Sequence, residues 1–113
     1  MQKFNSVDEL VNNIRPVDPI YCIRPNSIKL ACAWFKKNFP GKILYAVKTN
    51  PNEKIIKHIG ENGIDEFDVA SINEIKLIKK IFPKARVYYM NTVKSREHIR
   101  EAYFNYNIKD FVL

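Results

Sequence analysis

The stretch KILYAVKTNPNEKIIKHIGENGIDEFDVASINEI, residues 42–75, decides the fold class of this chain. A short apolar run, KILYAV, is followed by a segment with isoleucines on one helical face and glycines at its end. A second short run, DEFDVA, is followed by another segment with helical spacing, SINEIKLIKKIF. Strands and helices that alternate in this way, with strand starts roughly 20–24 residues apart, predict βαβ units and a parallel sheet.

The same alternation extends in both directions from this stretch. Upstream, the pattern predicts a helix over residues 7–14, a short strand in PIYCIRP at 19–25, and a helix over 27–39 that ends before a Pro-Gly pair. Downstream, it predicts strands in ARVYYM at 85–90 and KDFVL at 109–113, with a helix between them.

Chain length selects among the architectures that βαβ units build. A closed (β/α)8 barrel needs roughly 250 residues, and this chain has 113. Four parallel strands leave two open sheet edges, and parallel sheets are seldom stable with uncovered edges. We therefore expect an α/β fold that is the N-terminal part of a (β/α)8 TIM-like barrel, an incomplete barrel of about four parallel strands with helices. A small open α/β sheet is the alternative.

Composition is that of an ordinary globular protein, with 46% hydrophobic and 27% charged residues. No apolar run approaches the roughly 18 residues of a membrane span, and the N-terminus lacks a signal-peptide pattern, so we expect a cytoplasmic location and no membrane partner. The net charge is +7, but the basic residues are scattered without an aromatic-basic motif, so we expect no nucleic-acid partner. Neither the cysteines nor the histidines have metal-ligand spacing, so no metal is expected.

Lys48 ends the first predicted strand, where βα architectures place their chemistry. Along that strand Leu44, Ala46 and Lys48 share one face, and the small Ala46 leaves room beside the lysine. A neutral lysine amine is a nucleophile toward an aldehyde. A lysine that simply leaves a strand into water is the commoner case, so position alone leaves both interpretations open.

Three polar residues follow at the second strand. Asp68 ends DEFDVA, where a carboxylate can pair with Lys48 or with a cationic ring, although an exposed strand-end aspartate is the simpler account. Ser71 and Glu74 have the spacing of a helix-capping box, which by itself explains both residues. Lys94 follows the third predicted strand, and its position alone indicates a loop residue.

Taken together, YAVKTNPN at 45–52, FDVAS at 67–71 and EI at 74–75 resemble the pyridoxal-phosphate site of the fold-type III amino-acid decarboxylases. That family includes the ornithine, lysine, arginine and diaminopimelate decarboxylases, with alanine racemase a more distant barrel relative. The block YYMNTVKSREHIREAY at 88–103 resembles the ornithine and lysine enzymes more than the diaminopimelate enzymes. The resemblance spans roughly residues 18–113.

The resemblance implies a role for each matching residue. Lys48 matches the lysine that holds pyridoxal 5'-phosphate covalently, and Ala46 matches a small residue beside the cofactor. Asp68, Ser71 and Glu74 match the aspartate, serine and glutamate of the cofactor-binding motif. The implied activity is that of a lyase, a carboxy-lyase that decarboxylates ornithine or a similar basic amino acid in polyamine biosynthesis.

The resemblance also implies parts that these residues do not contain, because the family's chains continue with a phosphate-binding loop, a second β-rich domain and a site shared across a dimer interface. Residues 1–26 are then a helix and a strand that join the missing β domain, and residues 27–113 are a partial cofactor-binding barrel. We expect a truncated or split N-terminal fragment, inactive alone, that works as a homodimer or with a complementing decarboxylase chain. A diaminopimelate or arginine decarboxylase fragment and a non-catalytic regulatory partner of a full-length decarboxylase are the alternatives.

Overall fold

The computed structural model describes residues 2–113. Within them the chain forms an α/β structure of five α-helices and four strands. In chain order they are α1 (Val7–Ile14), α2 (Pro25–Asn38), β1 (Tyr45–Ala46), α3 (Glu53–Glu61), β2 (Glu66–Val69), α4 (Ile72–Ile81), β3 (Arg86–Tyr89), α5 (Arg96–Tyr106) and β4 (Asp110–Phe111). A short 3-10 helix, Val47–Thr49, follows β1 directly. The predicted alternation of strands and helices is confirmed.

The four strands form one parallel sheet in the order β1-β2-β3-β4. Each strand pairs with the next one along the chain, and a helix makes every connection between them. A doubly wound sheet reverses its strand order at a switch point, whereas a barrel adds its strands in sequence. The observed order is therefore that of a segment of a (β/α) barrel, as the sequence predicted.

One side of the sheet packs against the helices and forms the core. The strand side chains on this side are almost fully buried; they are Phe67, Val69, Val87 and Tyr89. The side chains of α4 that cover them recur at helical spacing; they are Ile72, Ile75 and Ile78. Full burial of each large apolar side chain is worth about 1.5–3 kcal/mol, so this layer fixes the strand register and the position of α4.

The other side of the sheet, here called the open side, is polar and only partly buried. Ala46, Asp68, Tyr88 and Asp110 lie side by side across the four strands in one register row. Inward and outward residues alternate along every barrel strand, so the open side corresponds to a barrel interior.

The N-terminal region differs in part from the prediction. The helix over residues 7–14 forms as α1, where the hydroxyl of Ser6 accepts from the backbone N–H of Glu9 at 3.0 Å, but no side chain of α1 is buried. The strand expected in PIYCIRP does not form within the described residues, and its place in the sheet of a further domain stays a prediction. A strand needs a neighbouring strand for its backbone hydrogen bonds, and among the described residues none lies beside this segment. Pro25 instead begins α2.

Candidate active site at the carboxyl edge of the sheet

Lys48 lies just beyond the carboxyl end of β1. The first strand is shorter than the sequence predicted, because β1 ends at Ala46 and the next three residues form the 3-10 helix. Val47 is fully buried in the core, whereas the side chain of Lys48 is exposed. The buried neighbour therefore fixes the backbone of this turn and leaves the lysine amine at the edge of the sheet.

Hydrogen bonds hold the loop that follows Lys48. The phenol of Tyr45 donates to the carbonyl oxygen of Asn50 at 3.1 Å, and burial raises the pKa of this phenol, which keeps it protonated as a donor. The side-chain oxygen of Asn50 accepts from the backbone N–H of Asn52 at 3.1 Å. Asn52 in turn caps α3 by accepting from the backbone N–H of Lys54 at 3.0 Å. The connection from β1 to α3 is therefore a defined turn.

Ala46 and Asp68 are brought together on the open side of the sheet. The two residues are direct partners in the parallel pairing of β1 with β2. Asp68 is half-buried, and the side chains of Asp68 and Lys48 make no hydrogen bond or ion pair with any other described residue. The carboxyl edge of β1 and β2 thus offers an amine and a carboxylate that the described part of the fold does not use.

Ser71 and Glu74 form the capping box at the start of α4. The hydroxyl of Ser71 accepts from the backbone N–H of Glu74 at 3.2 Å. The carboxylate of Glu74 accepts from the backbone N–H of Ala70 at 2.8 Å, one residue before the position that a capping box usually satisfies. The capping role inferred from the sequence is confirmed, and it holds the loop that follows Asp68.

Lys94 is a residue that the sequence argument treated as an ordinary loop residue. Its ammonium group donates to the carbonyl oxygen of Val112 at 2.6 Å and also to the carbonyl oxygen of Asn91. It also lies 5.6 Å from the ring centre of Tyr89. Lys94 therefore ties the loop after β3 to the residue after β4. The position of Lys94 in the sequence did not predict this role, although the residue lies in the block at 88–103 that resembles the decarboxylases.

A set of five side chains on the open side, here called the open-side cluster, connects β2, β3 and β4 with the segment before β1; it consists of Lys42, Glu66, Arg86, Tyr88 and Asp110. Lys42 lies 3.1 Å from Glu66, which also accepts from the phenol of Tyr88 at 2.6 Å. Arg86 donates twice to Asp110, at 3.0 and 3.1 Å. Burial alone would raise the pKa of Glu66, but the hydrogen bonds from Tyr88 and Lys42 hold it below its ordinary value. The bond from Arg86 likewise lowers the pKa of Asp110.

The residues at the carboxyl edge fit a cofactor that carries an aldehyde. Lys48 supplies an exposed amine, Ala46 is small, and Asp68 is a carboxylate without a partner among the described residues. The described residues hold no group of His, Cys, Asp or Glu side chains arranged to bind a metal ion. Among the described residues, every helix is too short or too polar to cross a lipid bilayer.

The fold and this edge define a segment of a (β/α) barrel with a free lysine just past its first strand. The pyridoxal-binding domain of the pyridoxal-dependent decarboxylases matches residues 25–112. The chain therefore belongs to the pyridoxal-dependent decarboxylase family, and the matched domain is the one that binds the pyridoxal cofactor.

Individual relatives agree with this assignment. The diaminopimelate decarboxylase of Aquifex aeolicus (strain VF5) is 34% identical over 86 residues, which are 74% of this chain and 20% of that protein. The ornithine decarboxylase of Entamoeba histolytica has a TM-score of 0.68 and 32% identity over 77% of this chain and 26% of that chain. The lysine decarboxylase of Selenomonas ruminantium has a TM-score of 0.79 at 22% identity, over 98% of this chain and 29% of that chain, and shows the fold. The chain spans less than a third of the length of each.

Proposed function

We propose that this chain supplies the cofactor-bearing lysine of a pyridoxal-phosphate-dependent carboxy-lyase that acts on a basic amino acid of the ornithine type. The observation that carries the proposal is the position of Lys48. Its side chain is exposed, makes no hydrogen bond or ion pair with another described residue, and stands at the edge of the sheet where barrel enzymes place their chemistry. Membership of a pyridoxal-binding family supports an aldehyde cofactor as the partner of that amine.

The other candidate residues receive roles that follow from their positions. Asp68, the register partner of Ala46 on the next strand, provides a negative charge toward the cofactor, and the small side chain of Ala46 leaves room for it. Ser71 and Glu74 hold the loop after β2 through their backbone hydrogen bonds and so fix Asp68. When bound, pyridoxal phosphate supplies the electron sink for loss of the substrate carboxylate.

The choice of ornithine as the substrate rests on the block at 88–103, which resembles the ornithine and lysine enzymes. Diaminopimelate is the second candidate, because the diaminopimelate enzyme of Aquifex is 34% identical to this chain and the Entamoeba ornithine enzyme is 32% identical. Both substrates are α-amino acids with a second amino group, so that feature is common to the two candidates.

The isolated 113-residue chain is expected to release no carbon dioxide from either substrate. The open side of the sheet, on which Ala46 and Asp68 lie, is partly exposed to water. Water weakens the electrostatic interactions that a closed site makes with a developing charge. A covered open side is therefore part of the proposed active state, and we propose a second copy or a complementing decarboxylase chain as the partner.

A chimaera tests the proposed function. Residues 25–112 of this chain replace the matching segment of an ornithine decarboxylase and, separately, of a diaminopimelate decarboxylase, and carbon dioxide release is measured with both substrates. The proposal predicts activity in at least one chimaera and its loss with Lys48→Ala, whereas Lys57→Ala, which removes an exposed lysine of α3, leaves activity unchanged. Full activity in the Lys48→Ala chimaera would contradict the proposal.

A further inference from the structure

The backbone just before Lys48 is anchored in the core at two positions. Val47, its immediate neighbour, is fully buried. Tyr45 is the register partner of the buried Phe67 on β2. Its half-buried ring packs against both clusters of buried side chains, so the core sets the position of this ring.

The phenol of Tyr45 joins the two ends of the segment that carries Lys48. It donates to the carbonyl oxygen of Asn50 at 3.1 Å, five residues further along the chain. The segment between these two residues includes the 3-10 helix Val47–Thr49, with Lys48 at its centre. The hydrogen bond therefore closes a loop around the lysine, and the tyrosine ring fixes one end of that loop in the core.

A simpler role for this hydrogen bond would be to end β1 or to begin α3. The start of α3 has hydrogen bonds of its own, because the side chains of Asn50 and Asn52 accept from the backbone N–H groups of Asn52 and Lys54. The strand β1 is held by its pairing with β2. The bond from Tyr45 therefore acts on the segment between the two elements, which is where Lys48 lies.

We propose that Tyr45 is a positioning residue for Lys48, and that its phenol holds the 3-10 turn in the conformation that presents the lysine amine at the carboxyl edge of the sheet. The lysine side chain stays free to reach an aldehyde, while the backbone that carries it is already ordered. Order established in advance reduces the conformational entropy that is lost when the amine is attached. This inference rests on the proposed function of Lys48 and adds to it a residue on the core side of the sheet.

Tyr45→Phe tests the inference, because it removes the hydroxyl and keeps the ring in the core. The full chain, shown to be folded by circular dichroism, is mixed with pyridoxal phosphate and then with borohydride. The Lys48 amine joins the aldehyde carbon with release of water, and borohydride reduces the new bond. Mass spectrometry gives the label on Lys48 relative to that on Lys57, an exposed lysine of α3. The free energy of one hydrogen bond predicts that this ratio falls by about 2- to 10-fold in Tyr45→Phe.

Ile78→Val distinguishes positioning from a general loss of stability. It trims a fully buried side chain of α4 and should lower the urea midpoint about as much as the lost hydrogen bond does, while the label ratio stays that of the wild type. An equal fall of the ratio in Ile78→Val would overturn the inference, because the ratio would then follow stability.

The wild-type chain shows which of the two proposals fails. Selective label on Lys48 in the wild type, with an unchanged ratio in Tyr45→Phe, would overturn the positioning role and leave the proposed function standing. A wild-type chain without preference for Lys48 would overturn both.

If Tyr45→Phe does not fold, amide hydrogen exchange of the wild-type chain decides instead. If the closed turn favours attachment, attachment must favour the closed turn by the same factor. The amides of residues 47–50 are therefore expected to exchange more slowly in the labelled chain than in the unlabelled chain, while those of α1 exchange at the same rate. Equal exchange at residues 47–50 in the two chains would contradict the inference.

Discussion

Two substitutions at Ser71, the N-cap of α4, distinguish a structural role of this residue from a role in cofactor binding. Ser71→Ala removes the hydroxyl that accepts from the backbone N–H of Glu74 at 3.2 Å. Loss of an N-cap serine costs about 1 kcal/mol, in a range of roughly 0.5–2. With an m-value of about 1–3 kcal/mol/M for a domain of this size, a loss of about 1 kcal/mol lowers the urea midpoint by roughly 0.3–1 M. Ser71→Asp keeps an acceptor at the cap, and its midpoint is expected to stay close to that of the wild type.

The same pair of variants reports on the cofactor. Unfolding is followed by circular dichroism in urea, and cofactor attachment is followed by borohydride reduction with pyridoxal phosphate. If Ser71 acts only through the cap, Ser71→Asp restores both stability and attachment. If its hydroxyl contacts the cofactor, Ser71→Asp restores stability alone. A Ser71→Ala midpoint equal to that of the wild type would refute the capping argument, as would an equal loss in both variants.

Three further predictions concern the core, the hydrogen bond from Lys94 to Val112 and the open-side cluster. Ile75→Ala empties a fully buried position of α4, and its free energy of unfolding should fall by about 2–5 kcal/mol in urea titrations. Lys94→Ala removes the donor to the carbonyl oxygen of Val112, so amide hydrogen exchange in β4 should become faster while that of β2 is unchanged. The pKa of Glu66 is lowered by folding, so its contribution to stability is present above its ordinary pKa of 4.5 and is lost as pH falls through the lower folded-state value. Glu66→Gln should therefore flatten the fall of the urea midpoint below that pH.

Each of these predictions has a control and an outcome that contradicts it. Lys57→Ala, on the exposed side of α3, should change stability little, and an Ile75→Ala loss no larger than that of Lys57→Ala would show that Ile75 does not stabilise the core. Unchanged exchange in β4 of Lys94→Ala would mean that the ammonium group does not hold the end of the sheet. A Glu66→Gln variant whose stability falls with acid as steeply as that of the wild type would exclude Glu66 as a source of the pH dependence.

The fold was predictable because short apolar runs and helical faces alternate along most of the chain. The capping box of Ser71 and Glu74 was predictable for the same reason, since a helix start depends on local spacing. The predicted strand in PIYCIRP does not form in the described residues. A strand needs a neighbouring strand for its backbone hydrogen bonds, and sequence spacing does not show whether one is present. The predicted end of β1 was also wrong. Val47 is buried in the core, but the backbone turns there into a 3-10 helix.

The site was predictable only in part. The sequence predicted that Lys48 and Asp68 lie at the ends of two neighbouring strands, but the pairing of Ala46 with Asp68 was seen only in the structure. The link from Lys94 to Val112 joins residues 18 positions apart through a backbone carbonyl, and no side-chain pattern marks such a contact. The roles of Lys48 and Asp68 toward the cofactor stay predictions that cofactor attachment tests.

Cofactor attachment to the wild-type chain tests the central claim most directly. The purified chain is mixed with pyridoxal phosphate, reduced with borohydride, digested and mapped by mass spectrometry, with Lys48→Ala as the control. The account predicts label concentrated on Lys48, well above any other exposed lysine such as Lys57, and no shift of that label to a neighbour in Lys48→Ala. Label spread evenly over the exposed lysines, or unchanged in total in Lys48→Ala, would contradict the claim that Lys48 is the cofactor lysine.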